Sequence, residues 1–492
     1  MGVSAACTVL TAILAALTLT PLLLLTFPAF FSGDRNWGLS VDGCCCCPRR
    51  SRGPTNSAAP MEGLALQLNT SVQSSEIDHT EALNQRMAKS CWPRFGDWMQ
   101  RLSLPVLVAL VAVAAPFGAL SLPRLTYSAG LVPFMPTDAA ATKTVLALQE
   151  AFGVGALFPT SLILVPPRER VATQEGRDSW LNESCVALRT IARDVNTDPS
   201  VPPFSASAFT GPMILNGGCT RAGLGAWSDV GGLYSATQVT ITYAVDPFST
   251  EGQRWVTRMR DALARQTSMA AWYLAGEGPN QMDAASETFK SFPTMILLMM
   301  GVVLLLIGIS FKSVVAPFRA VFCLVWMLVM TFGAAVFVFQ DGALSWLGWG
   351  QLGLRGSGAM SWMSPCISCS VIVGLGLDYD IFYTESVLEE CEHGHGEKEA
   401  AIRALTDTAN TISAAGVIMV IAFGSLLLCT TPCLNEIAFL LVVGILIDCF
   451  ITTKIIMPAS MYWLGRFNFW PHKFPGPAGA STVSRRHVVE VA

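Results

Sequence analysis

Charge is what this sequence has least of. Only 13% of its 492 residues are Asp, Glu, Lys or Arg, against about 25% in a soluble domain. With 52% hydrophobic residues and a mean hydropathy of +0.48, an ordinary soluble globule is excluded. There is no basic patch with interleaved aromatics, so nucleic acid is not an expected partner. No Ser-His-Asp, Cys-His or metal-ligand arrangement is evident, so neither an enzyme nor a metal or other cofactor is expected. The N-terminal apolar run lacks the cationic flank of a signal peptide and is too long for one, so it reads as a membrane span.

What is present is a series of long apolar runs. About seven reach the ~20 residues that a bilayer requires: Val3–Phe31, Leu104–Leu122, Phe292–Ser310, Val315–Phe339, Trp362–Val387, Ile412–Cys429 and Ile437–Leu464. Basic residues orient them. Arg49, Arg50, Arg52, Lys89, Arg94, Arg101, Lys312, Arg319, Lys398, Arg403, Arg466, Lys473, Arg485 and Arg486 all fall on one side, read as cytoplasmic. The expected organisation is a span at 1–31, a cytoplasmic linker at 32–103 and a span at 104–122. An extracytoplasmic α+β domain follows at 123–291, then a five-helix membrane bundle at 292–464 and a cytoplasmic tail at 465–492. Within the α+β domain, strands at 160–165, 205–210, 237–245 and 271–275 alternate with helices at 177–195 and 250–266. That order is the split βαβ, or ferredoxin-like, pattern.

The run GLGLDYDIF (Gly374–Phe382) places Asp378, Tyr379 and Asp380 inside an apolar span. A charged side chain at mid-membrane costs roughly 3 kcal/mol even on a lenient scale, and is normally kept because it binds or moves something. The two carboxylates with the Tyr379 hydroxyl read as a proton relay; the bland alternative is a structural Asp bonded to a neighbouring helix. Gly374 and Gly376 lie one turn before Asp378 and Asp380, so a neighbouring helix is expected to approach there and cover both carboxylates.

Other residues carry weaker signals. Asp448 and Lys454 in the last span read as supporting groups, Asp448 bonding Thr452 or a neighbouring helix and Lys454 snorkelling to the interface. Residues 397–410 read as an amphipathic helix lying on the membrane surface. Cys185 and Cys219 in the α+β domain are candidates for a disulfide, with two free thiols as the alternative. Asn182 heads a glycosylation sequon. Cys44, Cys45, Cys46 and Cys47, followed by basic residues, are candidates for palmitoylation.

The motif GLGLDYDIF resembles the Gly-x-Gly-x-Asp-Tyr-x-x-Phe signature of the MMPL family in the RND transporter superfamily. FKSVVAPFRAV (311–321), VFQDG (338–342), the stretch from Ala401 to Phe423, that from Asp448 to Pro458, and the Pro136-x-Asp138 step with FGVG (152–155) match in order. One departure is Glu385, where many members have a basic residue. The resemblance implies a membrane transporter with a porter domain, moving lipids or other hydrophobic molecules at the expense of a proton gradient. It also implies two homologous halves, of which this chain is similar to the last span of the first and all of the second. A partner half or a homo-oligomer is therefore expected. The competing readings are a non-transporting lipid sensor or scaffold on the same fold, a fragment needing its partner, and a seven-span receptor.

Overall fold

The computed structural model describes residues 87, 92–167, 169, 173–196, 206–211, 214–215, 218–219, 228–229, 234–243, 245–266, 271–344 and 358–471. The expected first span, the linker as far as residue 86 with Cys44 to Cys47, and the C-terminal tail beyond residue 471 lie outside these, whereas residues 92–103 of the expected linker are helical. Six helical spans occur among the described residues: Trp92–Arg124, Glu277–Phe311, Val315–Gln340, Met363–Glu392, Glu397–Leu428 and Pro432–Leu464. The chain is a multi-pass helical membrane protein.

Helix α1 (Trp92–Pro116) opens the first of these spans. The chain then passes to a mixed domain, where α2 (Ala140–Phe152) precedes strand β1 (Thr160–Val165). The sequence TSLILV alternates, and Thr160, Leu162 and Leu164 are the residues that it buries. Helix α3 (Gln174–Val195) begins at Thr173, whose hydroxyl accepts the Gly176 amide. Strands β2 (Phe209–Thr210) and β3 (Tyr234–Ile241) follow, then α4 (Thr250–Ala264), which Ser249 caps through the Gly252 amide at 3.0 Å. Strand β4 (Ala271–Ala275) completes the set. The sheet runs β2-β3-β1-β4 with every neighbour antiparallel, and Leu162 sits opposite both Val239 and Leu274. Trp180, Leu188, Trp255 and Met259 from α3 and α4 close the core over Leu162, Leu164 and Val239.

Cys185 on α3 is disulfide-bonded to Cys219 across a sequence separation of 34. In the chain-entropy picture a loop of that size is stabilised by about 3–4 kcal/mol. Reduction, or Cys219→Ser, is therefore expected to lower the unfolding free energy of this domain by that amount, read as a shifted denaturant midpoint without loss of the membrane helices. Asn182 is exposed on α3, while Ser184 of the same sequon is buried.

The mixed domain is tied to the membrane helices by continuous structure. Helix α5 (Glu277–Phe311) starts at the end of β4 and runs 35 residues, about 52 Å. Arg260 on α4 holds Asp283 on α5 through paired bonds of 2.6 and 2.7 Å, and that bond raises the Arg260 pKa. The pair is partly exposed, so its contribution is only about 0–1 kcal/mol. Tyr127 and Ser128 pair in parallel with Met360 and Ser361, just ahead of α7 (Met363–Glu392).

Helix α6 (Val315–Ala335) is set by Ser313, whose hydroxyl oxygen accepts the amides of Val315 and Ala316 and whose proton goes to the Asn468 carbonyl. Helix α8 (Glu397–Gly424) corrects the surface-helix expectation for residues 397–410. They are the first turns of one long helix, because Ala400, Ala401, Ala404, Leu405 and Ala409 present a small apolar face that packs into the bundle core. Helix α9 (Pro432–Ile447) continues through a nine-residue π-helical stretch, Asp448–Ile456, into α10 (Met457–Leu464). Pro458 has no amide to give to the turn before it, which is a local reason for the hydrogen-bond ladder to shift there.

Candidate functional site

The two carboxylates of GLGLDYDIF do not share an environment. Asp378 is exposed on α7, whereas Asp380 is 2% exposed. Residues two apart on a helix are about 200° apart around its axis, so one helix cannot point both into the core. This corrects the expectation that both would face protein. The glycines divide the same way. A Cβ at Gly376 would meet Met327 and Leu324, while at Gly374 it would meet nothing within 4 Å. Gly376 is thus a helix-packing residue in this bundle and Gly374 is not. Tyr379 is buried against Ile412, Ile445 and Cys449, and its hydroxyl points to the Met419 sulfur at 3.9 Å.

Around Asp380 the bundle gathers residues from three helical spans. Arg319, from the first turns of α6, is 5% exposed, not a flanking surface cation. Its Nη1 donates to Asn468 Oδ1 at 3.1 Å and its Nη2 to Thr384 Oγ1 at 2.9 Å. Asn468 is held in turn by bonds from its Nδ2 to the carbonyls of Met461 and Gly465, each 2.8 Å. Asp380 lies close enough to Arg319 and to Asp448 for their charges to act on one another. Both carboxylate oxygens of Asp380, one of Asp448 and the Nε of Arg319 lack hydrogen-bond partners. Such groups are costly to bury unpaired, and four such atoms from three spans lie together here. The inner wall beside Asp448 is a narrow seam between Met327, Ile372, Gly376 and Gly444.

The supporting residues differ from expectation in detail. Asp448 is buried, but the Thr452 hydroxyl has no partner, so the expected local bond is absent. In the π-helical stretch it is Thr453 that donates, to the Asp448 backbone carbonyl at 3.0 Å. Lys454 does not snorkel. It is 7% exposed, donates to Ser413 Oγ, and sits over the rings of Phe450 and Trp92 at 4.4 and 5.4 Å. The widened ladder turns it inward, and aromatic faces take the place of water around the ammonium.

A third buried acid, Glu436, falls one residue ahead of the apolar run 437–464, so the run itself does not mark it. Glu436 accepts the Ser361 amide at 2.8 Å and the Ser364 hydroxyl at 2.7 Å, joining α9 to the start of α7. Glu436→Ala is expected to destabilise the bundle by about 3 kcal/mol, since two buried donors lose their acceptor. Glu436→Gln retains an acceptor oxygen and should lose less; thermal unfolding in detergent reads both. Among the described residues no group of three His, Cys, Asp or Glu is arranged to hold a metal.

Comparison with known proteins agrees with this architecture. Residues 133–486 match the model of the MMPL family. The trehalose monomycolate exporter MmpL3 of Mycolicibacterium smegmatis is 27% identical over 205 residues, 40% of this chain and 19% of that protein. The heme uptake protein MmpL11 of Mycobacterium tuberculosis is 25% identical over 228 residues, 46% of this chain and 23% of that protein. The mycolic acid-containing lipids exporter MmpL11 of Mycolicibacterium smegmatis is 22% identical over 326 residues, 66% of this chain and 31% of that protein. The matched stretches thus span less than a third of each of these relatives. With the family match running from the mixed domain through the last membrane helix, this chain belongs to the MMPL family.

Proposed function

We propose that this chain is one half of a proton-driven transporter that moves lipids or other hydrophobic molecules. The observation that carries the reading is the pair of buried, incompletely bonded carboxylates, Asp380 and Asp448, set beside Arg319 in the membrane helices of an MMPL-family chain. A proton taken up or released there changes the charge balance around a fixed guanidinium. It does so where α6, α7 and the last span meet, so helix packing can follow the proton. The relatives named as a trehalose monomycolate exporter and a mycolic acid-containing lipids exporter support a hydrophobic cargo.

The mixed domain, with its β2-β3-β1-β4 order, is in this reading a ferredoxin-like porter domain on the extracytoplasmic side, linked to the bundle by α5. Magnitudes favour a shielded path through it. One proton moving down 100 mV yields roughly 2.3 kcal/mol, whereas wetting a 16-carbon chain costs about 0.8 kcal/mol per CH₂. The chain must stay covered, and photoreactive acyl probes are expected to crosslink to residues 123–291.

The exposed stripe on α7 supports the second unit. Ile367, Ser370, Gly374, Asp378, Ile381 and Glu385 recur every three or four residues and all face outward. A polar stripe left in lipid is costly, while a second helix bundle packed on Gly374 would cover Asp378 and complete the relay through it and Tyr379. That unit is either a further part of the same protein or another chain. The test is transport of a fluorescent long-chain lipid by vesicles holding the protein and its co-purifying partners. Movement should follow an imposed proton gradient and stop with a protonophore. Movement indifferent to the gradient would overturn the reading, and a complete absence of lipid movement would favour a lipid sensor or scaffold on the same fold.

A further inference from the structure

Helices α4 and α5 and Tyr127 border a cavity of about 390 Å³, within the size range of small-ligand pockets. Arg254 and Arg258 line it one helical turn apart, on one face of α4. Thr250, Gln253 and Ser286 add neutral polar groups, and no Asp or Glu is among the lining residues. The acids that flank the lining in sequence are directed elsewhere. Asp283 is held by Arg260, Glu287 pairs with Lys290, and Glu251 lies near enough to Tyr243 to act on its hydroxyl. Asp261, beyond Arg258, does not reach the lining. The cavity also lies at the level of a membrane surface. Tyr127 follows the end of the first described span by three residues and stacks on Phe289 of α5 at 4.3 Å. Ser286 is six residues ahead of Phe292, where the apolar run of α5 begins, or about 9 Å along the helix. A lipid headgroup layer is about 5–8 Å deep on each side of the hydrocarbon. The face of α5 that carries Ser286 continues through Lys290, Pro293, Leu297 and Gly301, all exposed. Leu297 is 72% exposed, and a Cβ at Gly301 would meet nothing within 4 Å.

We propose that this cavity binds the phosphate group of an anionic phospholipid, with its acyl chains along the exposed face of α5. Guanidinium groups match phosphate oxygens in charge and in planar, two-pronged geometry. Two arginines without a lining acid select a headgroup with net negative charge. A zwitterionic headgroup would bring its own cation against them. A free phosphate ion shares the recognition chemistry, but it makes no use of the apolar face that continues from Ser286 into the bilayer. The Arg260–Asp283 pair ties the two helical walls together, so the cavity is held open by the fold itself. The site does not rest on the transport reading and stands whether or not the chain exports lipid.

The experiment uses the purified full chain in phosphatidylcholine nanodiscs that contain phosphatidylglycerol with a diazirine at the top of one acyl chain. Labelled peptides are mapped by mass. Label is expected on residues 286–297, displaced by unlabelled phosphatidylglycerol and not by further phosphatidylcholine. Arg254→Gln combined with Arg258→Gln should reduce that label by about tenfold or more, as expected for losing charge-assisted contacts. Both side chains are exposed, so folding is spared. Arg254→Lys with Arg258→Lys keeps the charge and should keep most of the label. Arg189→Gln, exposed on α3 outside the cavity, should leave it unchanged. Full labelling of the double Gln variant would overturn the proposal, and so would equal displacement by phosphatidylcholine. Equal loss in the Lys and Gln pairs would assign the effect to packing, not charge, and would overturn it too. Displacement by inorganic phosphate without displacement by phosphatidylglycerol would assign the cavity to a free anion and overturn the lipid.

Discussion

Asp380→Asn is expected to reduce proton-driven transport to the level of protein-free vesicles while leaving the protein folded. Asparagine has the shape of the acid and cannot shuttle a proton between charged and neutral states. Neither Asp380 oxygen is hydrogen-bonded, so the substitution breaks no bond in the bundle. It removes only a charge that acts on Arg319 and Asp448 at longer range. The stability cost should therefore stay below the roughly 3–5 kcal/mol of breaking a direct buried ion pair. Gradient-driven uptake and thermal unfolding of the same preparation separate the two effects. Wild-type coupling in folded Asp380→Asn would remove this residue from the relay. Asp378→Asn provides the comparison. Its side chain is exposed in this unit, so it should impair transport only where a second unit covers the α7 stripe. Gly374→Trp should do the same by blocking that contact, because no atom of this chain lies within 4 Å of the added Cβ.

Much of the architecture was legible because it rests on local patterns. Strands at 160–165 and 271–275 appear at the expected residues, where β-branched and aromatic side chains alternate between turn residues. The Ser249 cap of α4 is likewise a bond between residues three apart in the sequence. Apolar runs located the membrane helices, although α1, α5 and α8 extend well beyond their apolar cores. Hydropathy detects the part of a helix inside the bilayer and misses turns that continue into protein.

The site was only half legible. Charges in apolar runs pointed to Asp378, Asp380, Asp448 and Lys454, but not to which of them the fold would bury. Helical phase already separates Asp378 from Asp380, and that signal was present in the sequence. Arg319 was harder to see, because a cation five residues into a helix resembles an interfacial anchor. Its burial depends on Thr384 and on Asn468, which is brought over it from 149 residues away. No local pattern encodes that contact. An acid in one span and a base at the matching depth of another would have been a usable clue.

Gly155→Ala is expected to unfold or severely loosen the mixed domain. Gly155 lies in the one-turn helix Val154–Leu157 that leads into β1, and this turn packs on the backbone after β3. A Cβ there would overlap the Tyr243 carbonyl oxygen and stand 2.9 Å from that of Val245. Overpacking usually costs about 1–3 kcal/mol because side chains can shift. Here the obstacle is main chain next to a central strand, so the cost should reach or exceed the top of that range. Tyr243 stacks on Trp255 at a centroid distance of 4.7 Å, and displacing its backbone would disturb the core beneath α4. Gly374→Ala is the matched control, since its methyl group meets open space and alanine favours a helix over glycine by about 1 kcal/mol. Limited proteolysis of both variants should show rapid cleavage within residues 123–291 for Gly155→Ala alone. Equal resistance in the two would mean that the chain can move away from Tyr243, and that the close approach is not needed to seat the domain.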